Sequence, residues 1–191
     1  MKTIRKASVA DAFAIAPLID LAMEHMIVAY IFAGDRPQGL SYLRQLISRL
    51  DTPYSYRFIN VFEEDHKILG HICLYPMEEI TGLRHTMVEN LPAGMESVFE
   101  LPADTYPAAP GEIYIDTLAV LPEAQGKGIG SQLLQHVMTT YRNQKHYFLS
   151  LLVAKDNPKA HKLYRSLGFV DVAERNLMDK EFYYMQWKST T

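Results

Sequence analysis

Three glycines alternate with other residues in Gln125-Gly-Lys-Gly-Ile-Gly130. Glycine adopts left-handed backbone angles without penalty and lets a ligand approach the main chain closely. Ile129, Leu133, Leu134, Val137, Met138 and Tyr141 fall on one helical face, so the glycines stand where a helix begins. The first amides of a helix have no partner within it, and the helix dipole adds partial positive charge there. The junction is therefore suited to an anion, most naturally phosphate, with Lys127 adding charge at the rim. A tight turn with a solvated lysine fits the same spacing. The P-loop string Gly-x-x-x-x-Gly-Lys-Ser/Thr is absent, and Gly-x-Gly-x-Gly is not the Gly-x-Gly-x-x-Gly of dinucleotide-binding folds.

Two carboxylates precede this loop, Glu112 and Asp116, in Glu112-Ile-Tyr-Ile-Asp-Thr-Leu-Ala-Val120. The stretch is β-branched and aromatic without a breaker, which predicts a strand. At a spacing of four the two acids share one strand face. Either serves as a general base if burial raises its pKa toward neutrality, and either also suits a solvated strand edge. Asp116 is the better placed, being nearer the Leu118–Val120 segment. Further on, Asn157 and Tyr164 lie in Asn157-Pro-Lys-Ala-His-Lys-Leu-Tyr-Arg-Ser-Leu-Gly-Phe169. Asn157 suits a helix cap, and Tyr164 lies on the apolar face, where a core aromatic is equally at home.

The string Leu118-Ala-Val-Leu-Pro-Glu-Ala-Gln-Gly-Lys-Gly-Ile-Gly130 fits Gln/Arg-x-x-Gly-x-Gly/Ala after an apolar strand. Here the sequence resembles the GNAT superfamily of acetyl-CoA-dependent N-acetyltransferases. The specific motifs lie between about residues 112 and 169. The resemblance implies that Gln125, Gly126, Lys127, Gly128, Ile129, Gly130 and Ser131 hold the cofactor pyrophosphate. It implies that Leu118, Ala119 and Val120 bind the pantetheine and acetyl groups through their backbone, on a strand splayed from its neighbour. Asn157 and Tyr164 match the family's second cofactor motif, with Tyr164 as general acid to the departing thiolate. Family members often place an acid on the strand before the loop, which makes Asp116 and Glu112 candidates for the base; many use ordered water instead.

The elements that must position these residues are legible in outline. Residues 2–7 read as a strand. Ser8 and Asp11 resemble a capping box for a helix along Ile15, Leu18, Ile19, Ala22, Met23 and Met26, with Pro17 forcing a late start or a kink. After Gly34-Asp-Arg-Pro37 a second helix carries Leu40, Leu43, Ile47 and Leu50. Tyr54–Phe62 and Ile68–Tyr75 predict an antiparallel hairpin around Glu63-Glu-Asp-His-Lys67, with Gly70 marking a bulge or a close backbone approach. The segment from Pro76 to Gly111 predicts partial order beside the ligand site, with a short helix in Met87–Phe99. His146–Ala154 predicts a strand covered on both faces. A helix follows from Pro158, closed by Gly168, then strands at Phe169–Ala173 and Phe182–Trp187. The expected fold is α/β, a GNAT-like mixed and splayed central sheet flanked by helices, in one N-acetyltransferase domain over residues 1–191.

Composition narrows the function classes. Net charge is −3 without long charged runs, which argues against nucleic acid as the main partner. The single Cys73 excludes an intrachain disulfide, and the seven histidines form no recognisable ligand set, so no metal is expected. No apolar run reaches the roughly 18 residues of a membrane span. No membrane partner and a cytoplasmic setting are the defaults. The substrate is expected to be a small-molecule or peptide amine, with the small molecule favoured because no docking surface is evident. Acetyl-CoA is the expected cosubstrate. A homodimer through sheet edges is compatible with the pattern. The rival reading is a non-catalytic acyl-CoA-binding or regulatory domain. Tyr30, Phe32, Tyr42, Tyr54, Tyr56, Phe99 and Tyr106 are candidates to wall an amine pocket, with Glu24, Asp35, Glu78 or Glu79 attracting a cation.

Overall fold

The computed structural model describes residues 1–93, 107–142, 148–177 and 180–188. Strand β1 (Lys2–Lys6) leads through a 3₁₀ turn into α1 (Ala12–Ala22), and α2 (Arg36–Ser48) follows. Strands β2 (Ile59–Glu64) and β3 (Lys67–Pro76) form a hairpin, followed by α3 (Ile80–Glu89). Then come β4 (Glu112–Val120), α4 (Ile129–Tyr141), β5 (Phe148–Ala154), α5 (Pro158–Ser166), β6 (Val170–Leu177) and β7 (Lys180–Lys188). Among the described residues no helix is long and apolar enough to cross a membrane.

The strands form one sheet in the order β1-β2-β3-β4-β5-β7-β6. All neighbours are antiparallel except β4 and β5, whose parallel pairing follows from the helical crossover of α4. One face packs Ile15, Leu18 and Ile19 of α1 and Leu43, Leu46 and Ile47 of α2 against the sheet. The other packs Ile129, Leu133, Leu134 and Val137 of α4 against Ile72, Leu74, Ile113 and Leu149. The sheet is thus a mixed one flanked by helices, as expected.

Two irregularities of β4 shape the site. Its pairing with β5 runs from Glu112–Phe148 to Ile115–Leu151 and stops, so the two strands part beyond Ile115. On the other side Cys73 pairs with Thr117 and Leu74 with Ile115, leaving Asp116 as the extra residue of a bulge. The bulge shifts the alternation of faces. Tyr114 and Ala119 therefore meet the same core, although they are an odd number of residues apart.

Several expectations need correction in detail. Tyr56–Phe58 is a 3₁₀ turn rather than strand, because the Ser55 hydroxyl accepts the Arg57 amide and Thr52 Oγ1 donates to Leu46 O (2.6 Å). Among the described residues of the Pro76–Gly111 segment a helix runs Ile80–Glu89, with Ile80, Leu83 and Met87 on its buried face; the helix expected in Met87–Phe99 falls from residue 94 onward outside the described residues. Helix α1 begins at Ala12, so the late start that Pro17 allowed is not seen; Pro17 lies inside the helix. The final strands are longer than predicted and meet as a hairpin. The segment Ile27–Ile31 forms a π-turn that periodicity does not predict. Phe99, Tyr106 and the first two residues of the predicted strand at His146 lie outside the described residues.

Gly70 answers to the expected close approach. A Cβ there would lie 2.9 Å from Ala119 O and 3.2 Å from the Ile129 methyl, so β4 and the start of α4 crowd this position. Gly70→Ala is expected to lower stability by about 1–3 kcal/mol, the usual cost of overpacking. A lower urea midpoint at unchanged slope is the result to look for; a midpoint equal to that of the wild type would show that the strands part here without cost.

Candidate active site

The glycine loop opens a groove of about 510 Å³ lined by Leu118, Ala119 and Val120 on one side and Asn157, Leu163 and Tyr164 on another. Gly126 and Gly128 have φ of +77° and +76°, angles that side chains resist. Gly128 caps α4, whose first intrahelical bond in the loop region joins Gln132 N to Gly128 O (3.0 Å). The amides before Gln132 precede that bond and have no acceptor within the helix. Gln125, Gly126, Gly128, Ile129, Gly130 and Ser131 all line it, whereas Lys127 stands exposed at the rim. Gln125 Nε2 donates to Val120 O (3.2 Å) and ties the loop to the end of β4. Beyond Ile115 the β5-facing side of β4 has no ladder partner, which frees backbone for an extended ligand.

Asn157 caps α5 by accepting the Ala160 amide (3.1 Å) while also lining the groove. Tyr164 is buried, packed edge-on against Phe169 with ring centres 5.8 Å apart. Burial pushes its phenol up to about 12, so it carries its proton at neutral pH. Its hydroxyl has no hydrogen bond among the described residues.

A second cavity of about 220 Å³ adjoins the groove, and Ala22 borders both. Asp116 lines it, held by a hydrogen bond from the Tyr75 hydroxyl to Oδ2. Desolvation pushes the Asp116 carboxyl above the usual carboxylate range; the Tyr75 bond and the Arg84 charge pull the other way. Only Thr117 separates this acid from Leu118, so β4 passes from one cavity into the other within about 7 Å. Tyr114 lies within electrostatic range of both Asp116 and Tyr164. Behind Thr117, His71 is fully buried, with Nε2 2.9 Å from Thr117 Oγ1. Desolvation pushes the His71 imidazole down to about 3, which keeps it neutral.

Glu112 is not brought to either cavity. It sits at the far end of β4, where Gln186 Nε2 donates to its Oε1 (2.6 Å) and the Tyr184 hydroxyl donates to its Oε2. Both oxygens are engaged in joining β4 to β7. Of the aromatics, Tyr30 and Tyr54 line the second cavity. Phe32 and Tyr42 pack on each other, and the Tyr42 hydroxyl donates to Met87 O (3.0 Å). The acids offered as cation lures lie elsewhere. Asp35 caps α2, Glu78 accepts the Gly111 amide (2.8 Å) and Glu79 pairs with Arg57. Glu24 lines the groove and pairs with Lys180 (2.6 Å). Sequence reasoning missed Tyr75, Arg84, Leu152 and Phe182, which fold into the second cavity from four separate elements. No spacing links them; only the end position of Tyr75 on its strand, opposite Tyr114, was a usable signal. Among the described residues no group of histidine, cysteine, aspartate and glutamate could hold a metal ion.

The model of the Acetyltransferase (GNAT) family matches residues 22–169. An N-acetyltransferase structure from Staphylococcus aureus Mu50 superposes with a TM-score of 0.83 at 24% identity, over 97% of this chain and 100% of that one. A second solved structure, described as an acetyltransferase, gives 0.79 at 28% identity over 98% and 99% of the two chains. A curated mycothiol acetyltransferase of Renibacterium salmoninarum is 30% identical over 92 residues, 48% of this chain and 23% of that protein. A 5-NmdU N-acetyltransferase of Pseudomonas phage PaMx11 is 39% identical over 57 residues, 30% of this chain and 39% of that protein. The chain therefore matches well under half the length of either curated relative.

Proposed function

Because the chain belongs to the acetyltransferase (GNAT) family, we propose that it moves an acetyl group from acetyl-CoA to the primary amine of a small molecule, by direct attack. Residues 1–191 act in this reading as one N-acetyltransferase unit. The observation that carries it is the course of β4, which leaves β5 at Ile115 and exposes backbone between the glycine loop and the half-buried Asp116. Acetyl-CoA supplies an activated thioester.

The chain's own residues do the rest. The amides from Gly126 to Ser131 receive the pyrophosphate, and Gln125 and Lys127 border it. The backbone of Leu118, Ala119 and Val120 binds the pantetheine arm and fixes the thioester beside Asp116. Asn157 holds the start of α5 so that Tyr164 faces the sulfur. Asp116 takes the proton from the attacking amine, and Tyr164 gives its proton to the sulfur as the C–N bond forms and the C–S bond breaks. Glu112 is assigned no proton in this scheme. Support for a small acceptor comes from the limited, walled cavity in front of Asp116.

Acetyl-CoA at about 100 times its Kd should stabilise the folded protein by about 2.7 kcal/mol, a rise of roughly 5–10 °C in melting temperature. Thiol release across a panel of amines completes the test. An unchanged melting temperature at millimolar acetyl-CoA would sink the reading, and a shift without thiol release from any amine would instead describe a binding domain.

A further inference from the structure

We propose that Tyr75 is the positioning residue of Asp116: its hydroxyl tethers the carboxyl to β3 and holds it as the carboxylate that a base must be. The proposal rests on the reading above that Asp116 receives the amine proton. The need for a tether comes from the bulge. Tyr75 pairs with Tyr114, Leu74 with Ile115 and Cys73 with Thr117, so Asp116 has no partner across the β3–β4 ladder. Its side chain is therefore not aligned by a cross-strand neighbour. The Tyr75 hydroxyl, reaching Asp116 Oδ2 from near the end of β3, takes that place. Both residues line the second cavity. Tyr75 itself is firmly held. It is 1% exposed, and its ring packs on those of Phe58 (centres 5.7 Å apart) and Tyr114 (5.9 Å).

The direction of the effect follows from which partner donates. Desolvation pushes the Tyr75 phenol well above its usual range, so it stays a donor at working pH. A donor favours the carboxylate over the carboxylic acid. It thus offsets part of the desolvation that draws Asp116 toward its neutral form. The other ionisable groups around Asp116 come from several elements. Cys73 of β3, Tyr114 of β4 and Tyr54 before β2 are held protonated by burial, and His71 behind Thr117 is held neutral. Arg84 of α3 adds a positive charge, and Tyr30 lines the cavity from the π-turn. None of these is altered in Tyr75→Phe, which removes one oxygen and keeps the ring.

The test is an NMR titration of the carboxyl carbons in protein with isotope-labelled aspartate, the Asp116 signal being assigned through Asp116→Asn. In Tyr75→Phe the Asp116 titration should move up by about one pH unit, since a hydrogen bond to a charged group is lost. Fluorotyrosine at position 75, a stronger donor of nearly the same shape, should move it down. Tyr42→Phe removes a different buried hydroxyl, bound to Met87 O (3.0 Å), and should leave it in place. Thiol release from acetyl-CoA with one amine throughout gives the second readout. The kcat/KM of Tyr75→Phe relative to wild type should be about tenfold lower below the titration than above it. An Asp116 titration that stays put or moves down in Tyr75→Phe, or that moves equally in Tyr42→Phe, overturns the proposal. A shifted titration with a kcat/KM ratio flat in pH would sink the base reading and leave the tether standing. An unshifted titration beside a large loss of kcat/KM in Asp116→Asn would sink the tether and leave the base reading.

Discussion

Tyr164→Phe is expected to lower kcat by roughly 10²–10⁴ while leaving the KM for acetyl-CoA within a few-fold of the wild type. The substitution removes one oxygen and keeps the ring that packs on Phe169. That oxygen has no hydrogen bond among the described residues, so its loss strands no partner among them. The melting temperature should therefore barely move. Two readings of Tyr164 separate here. A core aromatic would give unchanged turnover, and a proton donor would give a large loss in kcat alone. The phenol is pushed up to about 12, so the donor is fully protonated across the working range. No basic limb should appear below about pH 10 on its account. Unchanged kcat in a well-folded Tyr164→Phe would return the residue to the core and leave the leaving thiolate to be protonated by water.

Asp116→Asn is expected to cost a similar 10²–10⁴ in kcat/KM while raising stability at neutral pH. Both effects have one cause. Burial raises the folded-state pKa of Asp116, so the folded protein binds its proton more tightly than the unfolded chain does. By linkage, stability then falls as pH rises from the ordinary aspartate pKa through the raised folded value. Above that window the folded protein carries the cost of a partly desolvated carboxylate. Asparagine carries none of it, and its amide oxygen can still accept from the Tyr75 hydroxyl. The gain in melting temperature should accordingly shrink toward zero as pH is lowered below the window. The acidic limb of kcat/KM in the wild type should lie above the usual carboxylate range and vanish in the variant. A loss in kcat/KM smaller than about tenfold would hand the proton to water. Glu112→Gln is the matching control. Glu112 joins β4 to Tyr184 and Gln186 outside both cavities, so that change should touch stability and spare kcat.

These outcomes bear on a division within one strand. Glu112 and Asp116 have the same chemistry, and their spacing alone makes them equivalent. The bulge at Asp116 and the parting from β5 make them different. Neither event is written in the local residue types, because both depend on the register of neighbouring strands. The glycine loop is the opposite case. Its two positive φ angles, the start of α4 at Ile129 and the span Glu112–Val120 of β4 all match the sequence reading. The lapse at Tyr56–Phe58 arose where side-chain caps overrode an alternating pattern.

The sequence by itself determined the parts governed by short-range physics. Glycines permit left-handed angles, an apolar stripe at helical spacing commits to a helix, and β-branched runs commit to strands. Together these specify a glycine loop at the start of a helix, an α/β fold and the place of Tyr164 on its helix. Only the tertiary structure decided where a second cavity opens beside the groove. The cavity before Asp116 is built from Met23, Tyr54, Tyr75, Arg84, Leu152 and Phe182, residues far apart in the chain. Burial raises the Asp116 pKa, and burial is a property of what surrounds a residue rather than of the residue itself.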